Sequence, residues 1–245
     1  MDYSRYRMSL KEEGKLLLLA AGLSLAAAVL FYDCLWYALA APLVYGILRK
    51  LEIQKKIRER QRLLTEEFLD MLRSLSSALM AGFSIENAVR EAYGEMKLLH
   101  GNGSFIAEEL RTMLQGLSVS IPLEKLLQDF ALRSGCPDIM EFSEVFGFAR
   151  HGSGDLAGII GTTAANISGR YETEKEIEVA IASRKMEQKV MNAIPVFLLA
   201  YLKLTDPDYM EILYGNLFGV CFMTLCLAAY GTAIWLSQKL MDIQV

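Results

Sequence analysis

The chain has 245 residues, 53% of them hydrophobic and 22% charged, with a formal net charge of -4. It is too apolar for an ordinary soluble domain and too charged for a chain made only of membrane spans, and its weak net charge gives nucleic acid no electrostatic footprint. Cys34, Cys136, Cys221 and Cys226 form neither a disulfide framework nor a zinc or CxxC pattern, and His100 and His151 read as solvated loop histidines. No cofactor or metal is expected.

Residues 1–15 mix Arg5, Arg7, Lys11 and Lys15 with Asp2, Glu12 and Glu13; from Leu16 to Leu48 the only charge is then Asp33. A spanning helix needs roughly 20 apolar residues, so 16–48 is too long for one span and fits a tight hairpin of two short ones turning near Tyr32-Asp33-Cys34. A cleaved leader ending at Ala26-Ala27-Ala28 is the rival, weakened because the apolar run continues well past that site. The next segment carries Arg49, Lys50, Lys55, Lys56, Arg58, Arg60 and Arg62, and this basic excess places it in the cytoplasm. Its simplest role is to fix topology, with anionic lipid headgroups as a further partner.

Between this segment and Lys189 no window alternates as a strand does, whereas helical periodicity is widespread. Phe68, Leu69, Leu72, Leu75 and Leu79 form one stripe, stopped by Gly82. Ser84 then reads as an N-cap with Glu86 and Asn87 in the first turn. Leu110, Met113, Leu114 and Leu117 form another stripe, and Pro122 sits where a helix start tolerates proline. Ile139, Phe142, Val145, Phe146 and Ala149 line a helix ending at Gly152. Gly82, Gly116 and the Gly152/Gly154 pair each read as a glycine turn between a helix and a polar restart, with Asp155 as the cap of the next helix. A cytoplasmic bundle of about six helices is expected.

One long helical pattern then runs from Gly152 to Leu204 and changes solvent partway. Residues 170–189 are crowded with charge, and 190–202 have none, so the boundary falls near Lys189. Glu172, Glu176, Arg184 and Lys185 form a candidate partner face, although most such faces are merely solvated. Pro195 removes a backbone donor inside the third span, where a kink is expected. Residues 205–214, with Pro207, form an external loop, 215–236 a fourth span, and 237–245 a cytoplasmic tail. The fold class is therefore an all-α polytopic membrane protein with four transmembrane helices (the hairpin 16–48, then 190–204 and 215–236), a cytoplasmic bundle over 49–189, and both ends, 1–15 and 237–245, inside.

Catalytic chemistry is poorly provided for. Gly152-Ser153-Gly154-Asp155 matches the GxGD pattern of membrane aspartyl proteases, but such enzymes need a second aspartate at membrane depth, and neither Asp33 nor Asp70 is placed for it. A phosphate loop lacks GxxxxGK[ST], and a transporter subunit would want more polar residues in the spans than Asn192, Asn216 and a few threonines.

The order of features resembles a known family. Phe68-Leu69-Asp70-Met71-Leu72, leading to Leu79-Met80-Ala81-Gly82-Phe83-Ser84-Ile85-Glu86-Asn87-Ala88, is similar to the opening of the type II secretion system F domain. Gly116 with Pro122-Leu123, the Gly152–Leu156 turn, Asn192-Ala193-Ile194-Pro195 and Leu204-Thr205-Asp206-Pro207 extend the likeness over most of residues 65–240. A single domain after an N-terminal hairpin looks more like the platform proteins of tight-adherence (Tad or Flp) pili than like general secretion F proteins. The resemblance implies a non-enzymatic, multi-pass inner-membrane platform in a homo- or hetero-oligomeric assembly. Its partners would be a cytoplasmic secretion or pilus ATPase, a second F-type platform protein, pilin subunits and membrane lipids.

Overall fold

The computed structural model describes residues 3, 6, 8–32, 41–101, 103–152, 156–205 and 217–241. Among them the chain is all-helical. The helices are α1 (Leu10–Tyr32), α2 (Ala41–Met80), α3 (Ile85–His100), α4 (Phe105–Ser118), α5 (Leu123–Ser134), α6 (Pro137–Gly152), α7 (Leu156–Thr205) and α8 (Leu217–Met241). They sort into two compact units, the first made of Met1–Arg7 and Ile53–Glu172, the second of Met8–Glu52 and Thr173–Val245.

Six helices, α2 to α7, contribute to the first unit. Its core is one apolar cluster running through Leu64, Phe68, Leu72, Met96, Ile106, Leu110, Phe130 and Phe142. Phe68 is its hub: its ring meets Phe142 edge-on at 5.4 Å and lies 6.3 Å from Phe130, separations at which aromatic pairs attract beyond simple burial. Consecutive short helices pack on one another, α3 on α4, α4 on α5 and α5 on α6.

The connections are closed by specific backbone chemistry. After α2, Gly82 takes φ +87°, and the Phe83 N–H returns to the Ala78 carbonyl at 3.1 Å. Ser84 caps α3, its hydroxyl accepting from the Asn87 N–H. Gly82→Ala is expected to cost about 1–2 kcal/mol, because a Cβ is disfavoured in the left-handed region; a denaturation midpoint checks it. Ser104 caps α4 through the Ala107 N–H at 3.0 Å. The Glu67 carboxylate of α2 accepts from the Ser104 hydroxyl and the Ile106 N–H, both at 2.9 Å, placing negative charge at a helix start. At the end of α5, Gly135 adopts the left-handed C-cap, and the Gln61 amide donates to the carbonyls of Ser134 and Gly135.

Gly116 departs from the expectation of a turn. It lies within α4, buried, and a Cβ built there would stand 2.6 Å from Leu126 Cδ2. The residue is small because α5 packs against it. The turn itself falls on Val119–Pro122, with Ser120 at φ 62° and the Ile121 N–H bonded to the Gly116 carbonyl.

The second unit contains α1, the start of α2, the later part of α7, and α8. Along α1, Leu16, Ala20, Ser24 and Ala28 are buried, a four-residue repeat of mostly small side chains of the kind that lets apolar helices approach closely. α1 packs against α8. Arg49 of α2 pairs with Glu13 of α1 at 3.2 Å. The Tyr230 hydroxyl donates to the Asn192 carbonyl and the Gln188 amide to the Ser237 hydroxyl, which sets α7 and α8 antiparallel. The Lys203 ammonium donates to the Val29 carbonyl near the end of α1.

Among the described residues, two helices are long and apolar enough to cross a membrane, Leu10–Leu30 in α1 and Phe218–Ser237 in α8. The expected second arm of the hairpin lies partly in 33–40, outside the described residues, and the expected third span is the apolar end of α7. Neither segment is by itself a qualifying helix among the described residues.

Candidate functional site

The residues of most functional interest lie on α7 and on the helices that hold its first part. α7 is one helix of 50 residues, passing unbroken through the change from charged to apolar sequence at Lys189. Pro195 is inside it and leaves the Met191 carbonyl without its usual intrahelical donor.

The start of α7 is anchored in the first unit. Ile160, Thr163, Ala164 and Ile167 are buried. The Arg170 guanidinium reaches Glu141 at 2.7 Å and Asp138 at 3.0 Å on α6. Partial burial, together with the nearby Glu141 charge, raises the Asp138 pKa above its ordinary value, against the opposing pull of Arg170. On the other side, Arg73 of α2 donates to the Ser168 hydroxyl at 2.7 Å, which donates to Glu172 at 3.2 Å. These groups edge a polar cleft of about 520 Å³ floored by Gly161, Ala164, Ala165 and Gly169. Asp70 pairs with Arg73 at 3.4 Å and with His100 at 3.1 Å, so His100, expected as a solvated loop residue, closes the end of α3 onto α2.

Of the four partner-face residues, Glu172 belongs to this anchored part, while Glu176, Arg184 and Lys185 lie beyond it. All four are exposed, as is nearly every residue from Thr173 to Lys189, including Val179. The structure presents them along a helix surface. Beyond Lys189 the exposed residues turn apolar, and Val190, Ala193, Ile194, Phe197, Leu198 and Tyr201 line one groove of about 740 Å³ with Met186. Gly82 and Ser84 form the α2–α3 turn, and Gly152 is the last residue of α6. Gly154, Asp155 and Pro207 lie outside the described residues.

Sequence reasoning missed a buried polar cluster elsewhere in the first unit. Tyr3 is 1% exposed and Glu109 3% exposed. The Tyr3 hydroxyl donates to Glu109 Oε1 at 3.0 Å and its N–H to the Arg133 carbonyl at 3.0 Å. Arg133 grips Glu109 with both terminal nitrogens, at 2.8 and 2.7 Å. Burial alone would raise the Glu109 pKa, but the hydrogen bonds and charge of Arg133, with the Tyr3 hydroxyl, hold it below the ordinary carboxylate value. Tyr3 is pushed up by its burial and by the Glu109 charge, and the bond to Glu109 is the first cause raising Arg133. The cluster is a structural tie, with every ionised group partnered.

Among the described residues no group of three or more His, Cys, Asp and Glu side chains is placed to hold a metal ion. Cys136, buried in the first unit, is a free thiol whose pKa burial pushes up. Comparison with protein-family models, with curated proteins and with solved structures finds no match to this chain.

Proposed function

We propose that this chain is a non-enzymatic membrane platform of the F-domain type. It would couple a cytoplasmic secretion ATPase to the extraction of pilin subunits from the membrane and their assembly into a Tad/Flp-type fibre. The observation that carries this reading is α7 itself: a single helix anchored by Ile160, Ile167 and Arg170 in a helical bundle and ending in an exposed apolar face. A continuous helix transmits axial displacement and twist, because each turn is fixed to the next by its own hydrogen bonds. The bundle would supply docking area for the ATPase, and the exposed charges at Glu172, Glu176, Arg184 and Lys185 a face for that partner or for a second F-type platform protein. Pilin and lipid would meet the apolar face beyond Lys189.

The same reading gives four crossings with both ends inside. Tyr3 and Ile53 belong to one unit, which supports placing them on one side of the membrane. On this reading α1 crosses outward and residues 33–52 carry the chain back. The Arg49–Glu13 pair favours such a hairpin, and the seven basic residues from Arg49 to Arg62 favour the cytoplasm for the bundle.

Native Cys34 tests the topology directly. In a chain whose other cysteines are serine, a membrane-impermeant maleimide is expected to label Cys34 on intact cells. In a chain with Glu66→Cys as its sole cysteine, at an exposed position of the bundle, labelling should wait for permeabilisation. The reverse pattern would place the bundle outside and end the ATPase reading.

A further inference from the structure

We propose that the apolar groove at the end of α7 binds one anionic phospholipid, with its phosphate at Lys189 and Lys185 and an acyl chain laid along the residues beyond. The proposal deepens the platform reading and rests on its placement of residues 190–204 in the membrane. Lys189 is itself part of the groove lining. Steps of four residues lead from Lys185 through Lys189 to Ala193, Phe197 and Tyr201, so two ammonium groups and the apolar lining follow one row along the helix surface. Glu187, the one carboxylate between the two lysines in sequence, falls on the far side of the helix from Lys189.

Within the second unit, α8 sets the depth of this row. Its apolar window ends at Ser237, whose hydroxyl accepts from the Gln188 amide. The end of the α8 span therefore lies beside Lys189, where the charge pattern of α7 also puts the water boundary. The Tyr230 hydroxyl donates to the Asn192 carbonyl, so α8 lies against the Gln188–Asn192 side of α7, while Val190, Ile194, Phe197 and Tyr201 stay exposed.

Charge and length select the occupant. From Lys189 to Tyr201 the helix rises about 18 Å, a little more than half of a hydrocarbon core about 30 Å thick. A lipid of one leaflet has that reach, and its phosphate then falls at two lysines, which attract anionic headgroups at a membrane surface. Small Ala193 leaves room for the chain to enter between Lys189 and Phe197. An apolar helix in the groove would match the lining and offer the lysines nothing.

Quenching of a single tryptophan by brominated lipid tests the site. In the full chain, with Trp36 and Trp235 changed to phenylalanine, Phe197→Trp puts an indole in the groove. In a parallel chain, Leu225→Trp puts it at an exposed position of α8 as a reference. Each chain is placed in phosphatidylcholine vesicles with phosphatidylglycerol as the minor component, and one lipid or the other carries the bromine. Mole for mole, phosphatidylglycerol is expected to be preferred at the groove by about fivefold or more, with no such preference at the reference. Lys185→Gln together with Lys189→Gln should bring the groove to the reference value. Equal quenching by the two lipids at the groove, or a preference kept by the double lysine variant, would overturn the proposal and leave the platform reading standing. A groove indole that neither lipid quenches, with blue emission, would also overturn it, because protein would then cover the face. An unquenched indole with red, water-like emission would take α7 out of the membrane and remove the platform's third crossing along with the site.

Discussion

Arg133→Ala is expected to lower the stability of the helical bundle by about 3 kcal/mol, because it takes the guanidinium from a buried carboxylate. Glu109 is almost fully buried, and the variant removes both hydrogen bonds of the bidentate guanidinium. The pH dependence identifies the mechanism. In the wild type the folded-state pKa of Glu109 is depressed, so its contribution is present above the unfolded value of about 4.3 and is lost as pH falls through the folded value. Without Arg133 the guanidinium's lowering influence is gone and desolvation pushes the Glu109 pKa up relative to the wild type, so the variant loses less stability than the wild type as the carboxyl protonates on acidification. The difference between the two proteins should therefore be largest near neutral pH and shrink toward pH 4. Circular dichroism against urea reports the unfolding midpoint of each protein at each pH. A penalty unchanged between neutral and acid pH would mean that Arg133 acts by packing alone.

The second large effect concerns transmission. Inserting a flexible Gly-Ser segment between Val179 and Ser183 interrupts α7 beyond its anchored part. Glycine in a helix interior costs about 1 kcal/mol per residue, and a short run of it breaks the axial hydrogen-bond ladder. Expression, membrane insertion and ATPase binding are expected to survive, because neither packed unit loses a buried residue. Fibre assembly is expected to fall to the level of a strain lacking the chain. An insertion of the same length built from alanine, glutamate and lysine preserves the helix, and it should retain more output than the Gly-Ser insertion. Equal, undiminished fibre output from both would rule out α7 as a rigid coupler.

Much of the local architecture was legible because it depends on residues with narrow conformational uses. Gly82 and Ser84 announced the α2–α3 turn, since a positive φ and an exposed run of N–H groups each call for a short list of side chains. The apolar stripes through Phe68 and Leu72 and through Leu110 and Met113 located the core. Gly116 misled because a glycine near a helix end reads as a stop, whereas its small size here admits Leu126. The packing boundaries follow a different rule from the solvent boundaries. The sequence changes solvent near Leu48 and Lys189, but helix hydrogen bonding is indifferent to solvent: α2 runs from Ala41 straight into the bundle, and the bundle's packing ends at Glu172.

The Tyr3–Glu109–Arg133 cluster was illegible. Its charged members sit on amphipathic helices, where an isolated Glu or Arg ordinarily reads as solvated, and Tyr3 belongs to a segment too short to show periodicity. Only the packing of α4 against α5 brings the three together, with Glu109 and Arg133 separated by a turn and most of two helices. The sequence signal that could have raised the question was a tyrosine pair, Tyr3 and Tyr6, in a run otherwise made of polar and charged residues.

The most direct measurement of the platform account is made in a strain lacking this chain, with pilin size read by blot and surface fibres by electron microscopy. The account predicts pilin cut to its mature size, held in the membrane, with no fibres at the surface, and fibres restored by the chain carrying Asp155→Asn. Uncut precursor pilin would contradict it and return the aspartyl peptidase, and normal fibres in the deleted strain would exclude both roles.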